Sequence, residues 1–135
     1  MDGLTAERIE KLEGGQTRVQ PEDVLLMADC YKAPELCNHY CTHECAIGRQ
    51  TMKEVEPKSF AQIAVETLNA LNRMDRHKER LLEIVEDGQV RPDECEDFLT
   101  IKQTLDRIAE SVSALQLWVD GQIAQGKLSP ELFER

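Results

Sequence analysis

Apolar residues recur in steps of three and four over two long stretches of this chain, and each stretch reads as the buried stripe of an amphipathic helix. In the first, Phe60, Ile63, Ala64, Leu68, Leu71, Met74, Leu81, Leu82 and Val85 follow Ser59, a residue suited to a helix N-cap, and the pattern stops at Asp87-Gly88. Pro92 restarts the chain, and Phe98, Ile101, Leu105, Ile108, Val112, Leu115 and Val119 then alternate as a heptad seam. At about 1.5 Å of rise per residue each arm spans roughly 40 to 50 Å. The short turn between them predicts antiparallel neighbours.

Three shorter periodic segments come first. Thr5 caps a helix whose apolar face is Ile9 and Leu12 and which stops at Gly14-Gly15. After a polar connection, Gln16 to Gln20, Pro21 opens a second helix with Glu22 and Asp23 in its first turn and Val24, Leu25, Met27 and Ala28 behind. Pro34 and Glu35 open a third, predicted to run through a row of cysteines toward Gly48. The period is lost over 50–58, where Pro57 blocks helix continuation, so this is the expected linker. The pattern thus predicts an all-α protein with a helical module at 1–49, a linker at 50–58 and a helical hairpin at 59–135.

Leu99, Ala109, Leu117, Trp118 and Ile123 widen the apolar surface of the hairpin beyond one strip, and two helices cannot dry it on all sides. A second hairpin would, giving a four-helix bundle in a homodimer. The expected dimer surface is Leu105, Ile108, Val112, Leu115, Leu117, Trp118 and Val119. The competing cover is the front module folded back over the same residues.

Composition narrows the partners. A formal charge of −10 over 135 residues repels polyanions at long range, and the basic residues are not clustered. With only Phe60, Phe98, Phe133, Tyr31, Tyr40 and Trp118 as aromatics, the core must be aliphatic, which suits helix seams. No stretch approaches a membrane span of about 18 apolar residues, and Met1-Asp-Gly-Leu-Thr lacks a signal-peptide layout. The expected compartment is the cytoplasm, with no membrane partner.

Residues 4 to 15, Leu-Thr-Ala-Glu-Arg-Ile-Glu-Lys-Leu-Glu-Gly-Gly, followed by Pro21-Glu-Asp-Val-Leu-Leu-Met-Ala-Asp, resemble the later half of the Cro/phage-repressor (XRE) helix-turn-helix domain. In that family a recognition helix ends in a pattern like Leu12-Glu13-Gly14-Gly15, and a Pro-led helix follows. The remainder, including Ala-Pro-Glu-Leu-Cys-Asn-His-Tyr-Cys at 33–41, is similar to a group of bacterial proteins of this type with the same cysteine segment and helical tail. The residues before Leu4 do not carry the two helices that precede the recognition helix in the family. The resemblance implies a DNA-binding transcriptional regulator. It places Thr5, Ala6, Glu7 and Glu10 toward base edges and Arg8, Lys11 and Arg18 toward phosphates. Glu7 and Glu10 put two carboxylates near those phosphates, at an electrostatic cost. A helical adaptor that binds no DNA, or a metal-binding sensor, is the alternative.

The sensor alternative rests on the five cysteines. Cys37, Cys41 and Cys45 recur every four residues with His39 and His43 interleaved and Cys30 upstream, and Cys and His are preferred ligands of zinc, while cysteines also hold iron–sulfur clusters. The candidate ligands are Cys30, Cys37, Cys41, Cys45 and His43. On an unbroken helix Cys37 and Cys45 lie about 12 Å apart along the axis, so one ion would need the helix to break near Thr42 or Cys30 to fold back. Buried thiols lining the helix face that packs on its neighbour give the same spacing. Cys95 stands alone.

Other chemistry is set aside. Aligning Gly88 with the glycine of a calcium loop puts Val85 where an oxygen donor is required. There is no phosphate-binding glycine loop, nucleophile elbow or paired-histidine protease motif, and His77, between Arg76 and Lys78, reads as a solvated residue. No catalytic constellation emerges, and the chain is expected not to be an enzyme.

Overall fold

The structure, a computed structural model, describes residues 5–15 and 18–133; Leu4, where the helix-turn-helix resemblance begins, and Gln16 of the polar connection lie outside the described residues. Those described are all-helical, with no strand. The helices are α1 (Ala6–Glu13), α2 (Pro21–Cys30), α3 (Glu35–His43), α4 (Ala46–Thr51), α5 (Phe60–Val85) and α6 (Cys95–Ala124), with 3-10 turns at Pro92–Glu94 and Pro130–Phe133. No helix among them is long and apolar enough to cross a membrane.

Local chemistry sets the boundaries. The Thr5 hydroxyl accepts the Arg8 N–H at 3.1 Å to start α1, and Gly15, at φ 71°, follows its end. Pro21 holds the first position of α2, while the Asp23 carboxylate accepts the Gln20 N–H at 3.0 Å. Past the end of α2 the chain reverses through Lys32 at φ 53°, and the Ala33 N–H closes the turn on the Ala28 carbonyl at 2.9 Å. Ser59 caps α5 by accepting the Gln62 N–H at 3.2 Å. The buried Glu94 carboxylate accepts the Arg91 N–H at 3.0 Å just ahead of α6.

The predicted third helix is divided. Both Glu44 and Cys45 donate their N–H groups to the Tyr40 carbonyl, at 2.8 and 3.2 Å, and Cys45 turns to an extended conformation (φ −79°, ψ 123°) before α4 begins. What stabilises the break is close packing: a Cβ on Gly48 would overlap the Cys41 carbonyl, so only glycine lets α4 lie this tightly on α3.

The chain divides into two units. One takes in the described residues up to Pro57 together with those from Leu117; the other is Lys58–Gln116. α6 therefore gives its first part to the second unit and its last turns to the first.

In the first unit, α2 packs on α3 and α3 on α4, around buried Leu12, Val24 and Ala28. Leu117, Trp118 and Val119 are half-buried in this unit. The second unit is an antiparallel pair formed by α5 and the first part of α6. Ile63, Thr67, Ala70, Met74, His77, Leu81 and Ile84 make one buried or half-buried row, and Phe98, Ile101, Thr104, Ile108, Ser111 and Ala114 make the facing one. His77, expected in solvent, is half-buried in this seam. The Arg80 guanidinium bridges the helices to Asp97 at 2.8 Å.

This seam is rotated from the one the apolar pattern predicts. Thr104, Ser111 and Ala114 are buried, while Leu105 and Val112 of the expected heptad are exposed. Hydroxyls need not be lost on burial, because Thr67 and Thr104 donate to the carbonyls of Ile63 and Thr100 four residues back, at 2.7 and 3.2 Å.

Ile84→Ala should lower the unfolding free energy by about 2–5 kcal/mol, since Ile84 is 1% exposed. Val65→Ala, at a residue 57% exposed, should shift it by no more than about 0.5 kcal/mol. Urea unfolding of the two variants makes the comparison.

Candidate functional site

The first unit carries every residue that the sequence points to for DNA or metal. On α1, Thr5, Ala6, Glu7 and Glu10 are exposed, as a contacting face would need. The cations are less available. Arg8 lies against Asp23 of α2 with Nη2 to Oδ2 at 2.8 Å and Nε to Oδ1 at 3.4 Å, a two-pronged bond that braces α1 on α2. Lys11 pairs with Glu7 at 3.3 Å one turn back. Arg18 is exposed. A second bridge joins the far ends of the same helices, the Tyr31 hydroxyl donating to Glu13 at 2.7 Å.

The Arg8 guanidinium, followed by the Gln20 N–H, holds the Asp23 carboxyl below its usual range. Glu13 pushes the Tyr31 hydroxyl up.

The cysteines do not converge. Cys30 is exposed, whereas Cys37, Cys41 and Cys45 are half-buried. Burial, then Cys41 and Asp120, pushes the Cys37 thiol up, which favours the neutral thiol over the metal-binding thiolate. Among the described residues the one grouping of three side chains with ligand atoms close enough to share an ion is His39, His43 and Glu54. Of the predicted ligands it includes His43 and none of the cysteines.

Each of the three is placed by a separate device. His39 and His43 are one turn apart on α3, their rings stacked with centroids 4.1 Å apart. Glu54 comes from the extended segment after α4 and meets both: its carboxylate is 3.1 Å from His43 Nε2 and 3.7 Å from His39 Nδ1. Asn38, also on α3, holds that segment on either side of Glu54. Its amide oxygen accepts the Val55 N–H at 2.7 Å and its amide nitrogen donates to the Lys53 carbonyl at 3.3 Å. The hydrogen bond from His43, with the weaker one from His39, holds the Glu54 carboxyl below its usual range.

The histidine spacing is visible in the sequence; Glu54 is not, because it lies in the aperiodic segment and is brought in only by the Asn38 clamp. Next to His39 opens a cleft of about 380 Å³ with Leu12, Val24, Met27 and Leu36 in its wall and Arg18, Tyr40 and Glu44 on its rim.

The second unit is two-faced. On one side of the seam lie Asn69, Arg73, Arg107 and Glu110, with Glu66 paired to Lys58 at 2.8 Å, around a polar groove of about 330 Å³. The other side carries Leu68, Leu71, Leu82 and Val85 of α5 and Leu105 and Val112 of α6, all exposed. Helical spacing puts these two sets on the same flank of the antiparallel pair. Of the expected dimer residues, Leu105, Val112 and Leu115 are exposed and Ile108 is half-buried here, while Leu117, Trp118 and Val119 are in the first unit.

No family model, no curated protein and no solved structure matches the chain.

The depressed Asp23 carboxyl gives a signed pH dependence. Its pairing with Arg8 contributes in full above the ordinary carboxylate value of about 3.9, and the contribution fades as pH falls from there through the lowered native value. Arg8→Ala should reduce the Tm at pH 7 and narrow its gap to the parent as pH is lowered from 5 toward 2, followed by circular dichroism.

Proposed function

We propose that this chain is a homodimeric helical regulator of helix-turn-helix ancestry, in which α5 and α6 join two copies and the exposed α1 of each copy is the contacting helix. The observation that carries it is the two-faced second unit. Six large aliphatic side chains stand exposed on one flank, Leu68, Leu82 and Val112 at 60, 66 and 58%, while the opposite flank is charged. Covering each such side chain gains roughly 1 kcal/mol or more, and a second copy supplies the same flank with twofold symmetry, so the four helices would form a bundle. Asp75 and Lys78, paired at 3.5 Å, interrupt the α5 stripe between Leu71 and Leu82, and polar interruptions of this kind fix the register of helical interfaces.

Equilibrium sedimentation of the reduced protein should give a dimer. Leu68→Glu combined with Val112→Glu should weaken association by roughly 100-fold or more, because each places an unpaired charge in a dry contact. A monomer at high protein concentration, or a dimer indifferent to both changes, would remove the proposal.

DNA contact by α1 is supported by the exposure of its first turns and by the brace on α2. With Arg8 engaged by Asp23 and a net charge of −10, phosphate contacts would come from Lys11 and Arg18. Binding to DNA from the chain's own upstream region should therefore show a log–log salt slope no steeper than about −4 for a dimer, read by fluorescence anisotropy. No binding at low salt would leave a protein-only adaptor.

A further inference from the structure

We propose that His39, His43 and Glu54 form a zinc site that ties the segment after α4 to α3. The three candidate ligand atoms already lie within 4.8 Å of one another. A tetrahedral zinc with bonds of about 2.0–2.2 Å holds its ligands about 3.3 Å apart; one carboxylate oxygen stands 3.1 Å from His43 Nε2 and the other 3.7 Å from His39 Nδ1, so rotation of these exposed side chains brings the three groups to that spacing. Two imidazoles and one carboxylate, with water in the fourth position, is a ligand set zinc takes.

Two further features point to a prepared site. Glu54 belongs to a segment without regular structure, yet the side chain of Asn38 grips the backbone on both sides of it, which orients the carboxylate much as outer-shell hydrogen bonds orient metal ligands. One carboxylate also faces both imidazoles, each of its oxygens toward one ring nitrogen; the rings, stacked at 4.1 Å, must turn out of the stack for their in-plane lone pairs to meet on one ion. An ion in that position would bond all three groups at once. The cysteines take no part: the site joins α3 to the 53–55 segment, and no cysteine lies in the cluster.

Titration calorimetry of the full reduced chain with zinc chloride tests this. One zinc per chain is expected. His43→Ala and Glu54→Gln should each lower the association constant by at least 10-fold, and Cys37→Ser combined with Cys41→Ser should leave it within 2-fold. Zinc should raise the Tm of the parent and not that of His43→Ala. All three ligands are exposed, so these variants should keep the parent's far-ultraviolet spectrum. Cobalt in place of zinc should show d–d bands without thiolate-to-metal charge transfer. Absence of binding, retention of zinc by a His39→Ala/His43→Ala double variant, or a thiolate band in the cobalt spectrum would each overturn the proposal.

Discussion

Ala70, Thr104, Ser111 and Ala114, all small, are buried in α5 and α6 while large leucines and valines stay exposed, and the character of the second unit follows from that choice. Packing free energy rises with buried apolar area, so two isolated helices carrying this many leucines would gain more by turning the leucines inward. They instead close on a narrow seam anchored by Ile63, Ile84 and Ile101, with the Arg80–Asp97 bridge along one edge. The wide apolar flank left over is large for a lone chain in water. The proposed self-complementary interface would account for both halves of the arrangement, with the seam ordering each copy and the flank covered by the second.

The first unit is held differently. Its apolar core is thin, and polar bridges do much of the orienting: Arg8 to Asp23 and Tyr31 to Glu13 between α1 and α2, and Asn38 to the backbone beyond α4. Asp23 serves twice, capping α2 through the Gln20 N–H and anchoring α1 through Arg8. Loss of one carboxylate therefore loosens a helix end and an interhelix contact together. The same pairing that steadies α1 takes its most central cation away from any nucleic acid.

Much of the fold was legible in the sequence because helix period, caps and prolines are local signals: Thr5, Pro21, Ser59 and Pro92 mark starts the structure keeps. Which side of α6 is buried was not legible. The apolar heptad through Leu105 and Val112 and the small-residue row through Thr104 and Ser111 lie next to each other on one helix, and only the fit to α5 decides between them. The break at Glu44–Cys45 escaped for a related reason, since it depends on Gly48 meeting the Cys41 carbonyl, a tertiary contact. At the candidate site the spacing of His39 and His43 could be read directly. Glu54 could not, because its segment has no period and its position comes from two hydrogen bonds to Asn38.

Lys32 sits in the left-handed region at the turn between α2 and α3. A side chain there costs about 1–2 kcal/mol, and glycine would remove that cost but would also gain roughly 0.5–1 kcal/mol of freedom in the unfolded chain. The two effects largely offset, so the identity of this residue has little leverage on the reversal. Direction is imposed by its neighbours, by the Ala33 N–H closing on Ala28 and by the ring of Pro34. The orientation in which α3 delivers its imidazoles is thus insulated from the one non-glycine residue, among those described, that takes a left-handed conformation.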